Sequence, residues 1–137
     1  MTEFLWPVRV YYEDTDSGGV VYYANYLKFM ERARTEMLRA AGFEQDQLRE
    51  QRDLLLVVRN VELELKQPAR FNDELVVKTH ITTMNGPSIH FQQAIMHKEE
   101  QDKLMATATI HIVSITASSW KPVRFPDDIQ TELKRVK

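Results

Sequence analysis

Residues 25–42 read NYLKFMERARTEMLRAAG, and the apolar side chains in this stretch recur at the spacing of a helix. One face collects side chains three or four positions apart, namely Tyr26, Met30, Ala33, Met37 and Ala41. Asn25 is the predicted N-cap, and Gly42 is the predicted C′ residue that ends the helix. The stretch therefore predicts one helix about 25 Å long with an apolar face that another element must cover.

Strands are predicted on both sides of this helix. Val8, Val10 and Tyr12 alternate with polar neighbours and predict a first strand, which the TDSGG run at residues 15–19 ends. Four runs rich in apolar and β-branched residues follow the helix, at residues 54–67, 74–83, 88–97 and 103–115. Turn residues around Asn85 separate the second and third runs, and a short helix is predicted near residues 127–134.

This order of elements predicts the α+β class. One long helix with about five strands favours an antiparallel sheet that covers one face of the helix, within a single domain spanning residues 1–137. The remaining face and edges of such a sheet need cover, and in so short a chain an oligomer is the expected answer.

The composition narrows the possible functions. The chain has 137 residues and a net charge of −2, so it lacks the basic excess that binds nucleic acid. Cysteine is absent, which excludes disulfides and thiolate nucleophiles. The opening MTEFLWPVRV does not resemble a secretory signal, and no apolar run approaches the roughly 20 residues that span a bilayer. These features predict a cytoplasmic protein without stable membrane insertion.

Residues 13–26 read EDTDSGGVVYYANY and hold the most concentrated chemistry of the chain. Asp and Gly are common in turns, so a plain turn between strand and helix explains the stretch on pattern alone. A carboxylate just before a helix can also act on a ligand whose oxyanion is held by the N–H groups of the helix start. This geometry permits acyl transfer to water without selecting it. The spacing of a calcium loop is missing, so no metal site is predicted.

The same stretch carries a resemblance to a known family. Residues 8–38 closely resemble the 4-hydroxybenzoyl-CoA thioesterase family of hotdog-fold proteins, and are nearest to the YbgC-like acyl-CoA thioesterases associated with the Tol-Pal system. The positions that match the family pattern are Asp14, Asp16, Gly19, Val21, Tyr22, Tyr23, Tyr26, Glu31, Ala33 and Arg34. The resemblance implies a hotdog fold, assembly into homodimers or homotetramers, and active sites at the dimer interface.

The resemblance also implies roles for single residues. Asp16 matches the catalytic aspartate, as nucleophile or as general base. Tyr23 matches the position whose backbone N–H polarises the thioester carbonyl, and Tyr12 matches a tyrosine near the site. The candidate substrate-binding residues are Gly19, Val21, Arg59, Asn85 and Ser88. Many YbgC-like proteins have histidine where this chain has Tyr23, which shifts more of the mechanism onto Asp16.

The expected function is therefore hydrolysis of acyl-CoA, or of acyl carrier protein thioesters, without metal or other cofactor. Two alternatives stay open: a non-catalytic module that binds acyl thioesters, and a hotdog enoyl-CoA hydratase or dehydratase. The second chemistry usually needs a histidine beside a carboxylate, and the first histidine of this chain is His80.

Overall fold

A computed structural model describes residues 3–100 and 102–136. Its strands are β1 (Phe4–Arg9), β2 (Leu54–Leu65), β3 (Glu74–Asn85), β4 (Ser88–His97) and β5 (Leu104–Thr116). Its helices are α1 (Asn25–Ala40), α2 (Gln45–Arg52) and α3 (Asp127–Arg135), and a single 3-10 turn spans Tyr12–Asp14. The predicted α+β class is confirmed. None of the helices within the described ranges is long and apolar enough to cross a membrane.

The five strands form one antiparallel sheet in the order β1-β3-β4-β5-β2. The core lies between this sheet and α1, because alternate residues of β3 and β4 turn inward while α1 presents its apolar stripe. The fully buried side chains include Phe29, Met30, Met37, Leu75, Ile81, Ile89 and Ile95. Complete burial of such a side chain stabilises the fold by about 1.5–3 kcal/mol.

The sequence predicted the C-terminal end of α1 correctly and its N-cap incorrectly. Gly42 has a φ of 101° just beyond the last turn, as predicted for a C′ glycine. The N–H groups of Gly42 and Phe43 donate to the carbonyls of Arg39 and Leu38, which completes a Schellman motif. The predicted N-cap is wrong: Asn25 is the first helical residue, and its side chain donates to the Asp14 carbonyl instead of capping the helix.

Two other elements differ from the sequence prediction. The first strand covers Phe4–Arg9, so Tyr12 lies outside it and begins the 3-10 turn. The chain leaves the sheet after Arg9, because the partner strand β3 begins at Glu74 opposite that residue. Helix α2 was not predicted, since only Leu48 of its eight residues is buried and its apolar signal is correspondingly weak.

Strand β2 is an open edge of the sheet. It pairs with β5 on one side, and its register shifts between Val58 and Asn60. Val58, Val61 and Leu65 lie opposite buried residues of β5, yet their exposed fractions are 50%, 36% and 53%. A single copy of α1 therefore leaves apolar surface uncovered along this edge.

Candidate active site

A small hairpin joins the 3-10 turn to α1. Thr15 and Val21 form an antiparallel bridge, and the Asp16 N–H donates to the Val20 carbonyl at 2.9 Å. Gly19 has a φ of 80°, a left-handed conformation that a side chain would strain, and its N–H donates to the Asp16 carbonyl. The glycine therefore allows the tight turn that holds Asp16 at the tip of the hairpin.

The carboxylate of Asp16 is exposed but fixed in direction. The Oδ1 atom of Asp16 accepts the Gly18 N–H at 2.8 Å, and the residue is exposed to solvent. Within residues 3–100 and 102–136, the second oxygen has no hydrogen-bond partner. Asp16 thus presents one oriented and unoccupied carboxylate oxygen, as a base or nucleophile requires.

The start of α1 offers hydrogen-bond donors close along the chain. Asn25 N–H donates to the Tyr22 carbonyl, while the backbone N–H groups of Tyr23 and Ala24 find no acceptor in the described part of the chain. Both N–H groups lie at the end of the helix that carries the positive pole of its dipole. A developing oxyanion could accept hydrogen bonds there.

The neighbouring carboxylate, Asp14, serves a structural role. It is 8% exposed, and its Oδ2 accepts the Tyr11 N–H at 2.8 Å. Its carbonyl accepts both the Tyr22 N–H and the Asn25 side chain, at 2.9 and 2.8 Å. The bond from Tyr11 closes the 3-10 turn, and the two bonds to the Asp14 carbonyl tie that turn to the start of α1, so Asp14 holds the hairpin in place.

The segment between β2 and β3 supports the hairpin from the other side. Val20 bridges to Arg70, and the Val21 N–H donates to the Ala69 carbonyl. The Tyr26 hydroxyl accepts the Ala69 N–H at 3.0 Å, and burial raises the pKa of that hydroxyl. Val21 itself is buried in the core, so within one chain it positions the loop and does not face solvent.

Exposed aromatic rings surround the hairpin. Tyr12 is 74% exposed and stacks on Phe71, with ring centroids 3.8 Å apart. Tyr23 is 56% exposed and tilts against Tyr22 at 4.9 Å. Phe71 was not among the predicted site residues; it lies in the segment KQPARFNDEL, residues 66–75, between β2 and β3.

Three predicted binding residues lie away from Asp16 in the same chain. The hairpin packs beside residues 69–73, at the Glu74 end of β3, whereas Asn85 ends that strand eleven residues later. Along a strand this separation is roughly 36 Å. Asn85 and Ser88 pair with each other at the far turn, and Arg59 lies on β2 at its register shift.

The histidines do not approach the Asp16 hairpin as a group. His90 and His111 stack at 4.2 Å on the sheet, bonded to Thr83 and Ser88. Partial burial, then repulsion by His90 and Arg59, lowers the pKa of His111. The Nε2 atom of His97, the third histidine in sequence order, lies 3.7 Å from the Asp73 carboxylate. No cluster of three or more potential metal ligands occurs within the described residues.

Comparison with known proteins places the chain in a family. A family model described as the Thioesterase-like superfamily matches residues 10–133. The chain belongs to this superfamily. Its relatives include an acyl-CoA thioester hydrolase YbgC from Escherichia coli, 46% identical over 134 residues and covering 98% of each chain. An acyl-CoA thioesterase YbgC from Helicobacter pylori is 47% identical over 125 residues, covering 86% of this chain and 90% of its own.

Solved structures of the superfamily share the fold. A probable thioesterase from Bartonella henselae is 37% identical with a TM-score of 0.85, covering 91% of this chain and 100% of its own. A 1,4-dihydroxy-2-naphthoyl-CoA thioesterase from Synechocystis is 26% identical with a TM-score of 0.90, covering 97% and 96%. The resemblance to YbgC-like thioesterases and the hotdog fold that it implied are thereby confirmed.

Proposed function

We propose that this chain hydrolyses acyl-CoA thioesters to a free acid and CoA, as one hotdog domain over residues 1–137. The observation that carries the proposal is the carboxylate of Asp16, which the Gly18 N–H orients at the hairpin tip. The second arm of the hairpin leads from there to the backbone N–H groups of Tyr23 and Ala24, which have no acceptor in the described part of the chain. The relatives named as acyl-CoA thioesterases support the same substrate class.

The reaction can follow two routes from this arrangement. As a general base, Asp16 takes a proton from water while the water oxygen attacks the thioester carbonyl. As a nucleophile, its free oxygen attacks the carbonyl, and water then hydrolyses the resulting anhydride. In both routes the Tyr23 N–H stabilises the oxyanion, the C–S bond breaks, and the thiolate leaves and gains a proton.

The tyrosine side chain at position 23 is not needed for either route. Its ring is exposed and packs against Tyr22. Because this residue is tyrosine, the position offers no histidine that could act as a general base. The backbone N–H keeps its place whatever the side chain is, because it is fixed by the start of α1.

We propose that the active protein is a homodimer joined through β2. This edge is twelve residues long, and Val58, Val61 and Leu65 leave apolar surface exposed beside it. The opposite edge, β1, has six residues and contains Pro7, so it is a poorer template for pairing. A homotetramer of two such dimers is the further assembly that the family resemblance suggests.

Such a dimer explains why the predicted binding residues are far apart in one chain. If two β2 strands pair antiparallel about a two-fold axis, the Asn85 end of one sheet adjoins the Asp16 end of the other. Asn85 and Ser88 of the second copy then lie toward the first copy's hairpin, whereas Arg59 lies midway along β2 beside the pairing edge. Gly19 and Tyr12 of the first copy lie beside the same hairpin, and the stacked rings of Tyr12 and Phe71 provide an aromatic surface there.

We also propose a cytoplasmic location, which rests on the sequence features described above. An association with the Tol-Pal system rests on the family resemblance alone. Acyl carrier protein thioesters remain an alternative substrate, because only the group on the thiol side differs.

A panel of short-chain, long-chain and aromatic acyl-CoAs, assayed for thiol release, tests the proposal. We expect catalytic release from at least one acyl class, together with formation of the free acid. Saturable binding of every acyl-CoA without thiol release would instead identify a binding module. Conversion of an enoyl-CoA to its 3-hydroxy product without thiol release would identify a hydratase.

A further inference from the structure

A cavity of about 250 Å³ lies between α1, the concave face of the sheet and α3. Its floor is apolar and is formed by Leu38, Leu56, Val58, Ile89, Phe91, Ile112, Phe125 and Leu133. Its polar lining comes from Glu31, Arg34, Thr35 and Gln45. The volume exceeds that of an engineered apolar cavity of about 150 Å³ that holds benzene, so the space admits an organic group larger than a single ring.

Among residues 3–100 and 102–136, Arg34 is the one cation on this lining. Glu31 lies three residues before Arg34 on α1, yet the guanidinium turns inward and one N–H donates to the Gln93 side chain at 2.9 Å. Gln93 is fully buried and donates in turn to the Met30 carbonyl and the Thr79 hydroxyl. No carboxylate in the described part of the chain forms an ion pair with Arg34.

This guanidinium is therefore oriented but incompletely paired. A guanidinium carries five N–H donors in a planar fork, and Gln93 uses one of them. Burial lowers the pKa of Arg34, while the charge of Glu31 acts on that pKa in the opposite direction. Glu31 lies one turn earlier on α1 and is exposed, so water screens its charge. A partly buried cation of this kind is best neutralised by an anion with two oxygens.

We propose that this cavity binds a free carboxylic acid with an apolar chain, its carboxylate on Arg34 and its chain against the apolar floor. The inward-turned guanidinium of Arg34 favours a carboxylate, and the eight apolar lining residues favour an apolar chain. Gln93 holds the fork in place, so the site is preorganised before the acid arrives.

The site is separate from the hairpin of the same chain. Arg34 lies nine residues beyond Asn25, where α1 begins. At 1.5 Å per residue this is about 14 Å along the helix. The inference does not need the chain to hydrolyse thioesters, although an apolar acid is also the kind of product that such hydrolysis releases. Failure of one proposal leaves the other testable.

Calorimetric titration of the full chain with octanoate and with 1-octanol tests the proposal. The two probes share a chain length and differ in charge. We expect octanoate to bind at one site per chain, about tenfold or more tightly than octanol. Equal affinities would show that the guanidinium is not used and would overturn the proposal, without any mutation being required.

Two variants on α1 sharpen the test. Arg34→Met keeps an apolar stem and removes the charge, so we expect octanoate affinity to fall about tenfold while octanol affinity stays within about twofold. Arg32→Gln is the matched control, since Arg32 is exposed, does not line this cavity and should leave both affinities unchanged. Octanoate affinity that is insensitive to Arg34→Met in a folded variant, or equally lowered by Arg32→Gln, would contradict the site.

Discussion

Asp14 and Asp16 are two residues apart and have opposite environments. Asp14 is buried, its carboxylate accepts the Tyr11 N–H, and its backbone carbonyl accepts the Asn25 side chain. Asp16 is exposed, and its carboxylate accepts the Gly18 N–H. Each carboxylate is therefore held through one oxygen, and it is the exposure of Asp16 that leaves its other oxygen accessible to a substrate. The difference arises from the turn geometry, which places only Asp16 at the hairpin tip.

The bond from Asn25 to the Asp14 carbonyl leads to a prediction at this scale. Asn25→Ala removes the donor and leaves a buried carbonyl with one bond fewer, so we expect a loss of about 1–2 kcal/mol in the free energy of unfolding. Urea denaturation measures it. Gln47→Ala, on the exposed side of α2, is the control and should change stability by less than about 0.5 kcal/mol. Equal effects of both substitutions would show that the hydrogen bond from Asn25 does not stabilise the fold.

Sequence patterns could place the residues of the hairpin but not their bonds. The turn composition indicated the break near residues 15–19, and the resemblance pointed to Asp16. The side chain of Asn25 could not be assigned, because an Asn before an apolar helix face fits an N-cap equally well. Its true partner, the Asp14 carbonyl, is eleven residues away and depends on how the hairpin folds back. Phe71 was missed for a similar reason, since its stacking on Tyr12 joins distant segments.

At the scale of elements, periodicity located the strands after α1 well. The predicted run at residues 88–97 coincides with β4, and the other three runs agree with β2, β3 and β5 to within two residues at each end. Where one face is buried, alternation is strong enough to be read directly. The first strand ended early because its partner begins at Glu74, which the local sequence does not reveal.

Helices α2 and α3 are linked by a bidentate ion pair, which gives a pH-dependent prediction. The two terminal nitrogens of the Arg52 guanidinium, Nη1 and Nη2, each donate to one carboxylate oxygen of Asp128 at 2.9 Å. Hydrogen bonding from Arg52 lowers the pKa of Asp128. Because the folded-state pKa is below the unfolded one, this stabilisation is present above the unfolded pKa near 3.8 and is lost as pH falls through the folded value.

Arg52→Gln should therefore lower the thermal midpoint slightly at neutral pH, and the difference from wild type should shrink in acid. Both side chains are partly exposed, so water weakens the pair and the effect is small. Thermal melts at pH 7 and pH 3 give the comparison. Arg49→Gln removes an exposed charge on the same helix and should show no such convergence. A gap for Arg52→Gln that stays constant with pH would argue against the ion pair.

At the scale of the whole molecule, one chain leaves the β2 edge of its sheet open and two of the predicted binding residues far from Asp16. The apolar side chains along β2 lack cover, and Asn85 lies at the opposite end of the sheet from Asp16. Pairing of two β2 edges addresses both features. The sequence predicted a need for cover, yet it could not show which edge is open, because strand order is set by long-range pairing.

Val61→Lys tests the assembly. Val61 lies on the edge strand β2 and is partly exposed. A charge there should be costly to bury between two copies, so we expect the mass in solution to fall to that of one chain. Light scattering after gel filtration measures the mass. Glu62→Lys changes charge on the neighbouring residue, which points to the other face, and should leave the mass unchanged. An unaltered mass for a folded Val61→Lys would exclude dimerisation through this surface.

The central claim is that Asp16 carries the hydrolysis, and thiol release by Asp16→Asn tests it most directly. The amide keeps the size of the side chain and its bond from the Gly18 N–H, while it removes the charge that attacks or accepts a proton. With an acyl-CoA that wild type hydrolyses, we expect kcat to fall by about a hundredfold or more, with the thermal midpoint retained. Glu13→Gln, three residues earlier and exposed, should keep wild-type turnover. Wild-type turnover by folded Asp16→Asn would contradict the account.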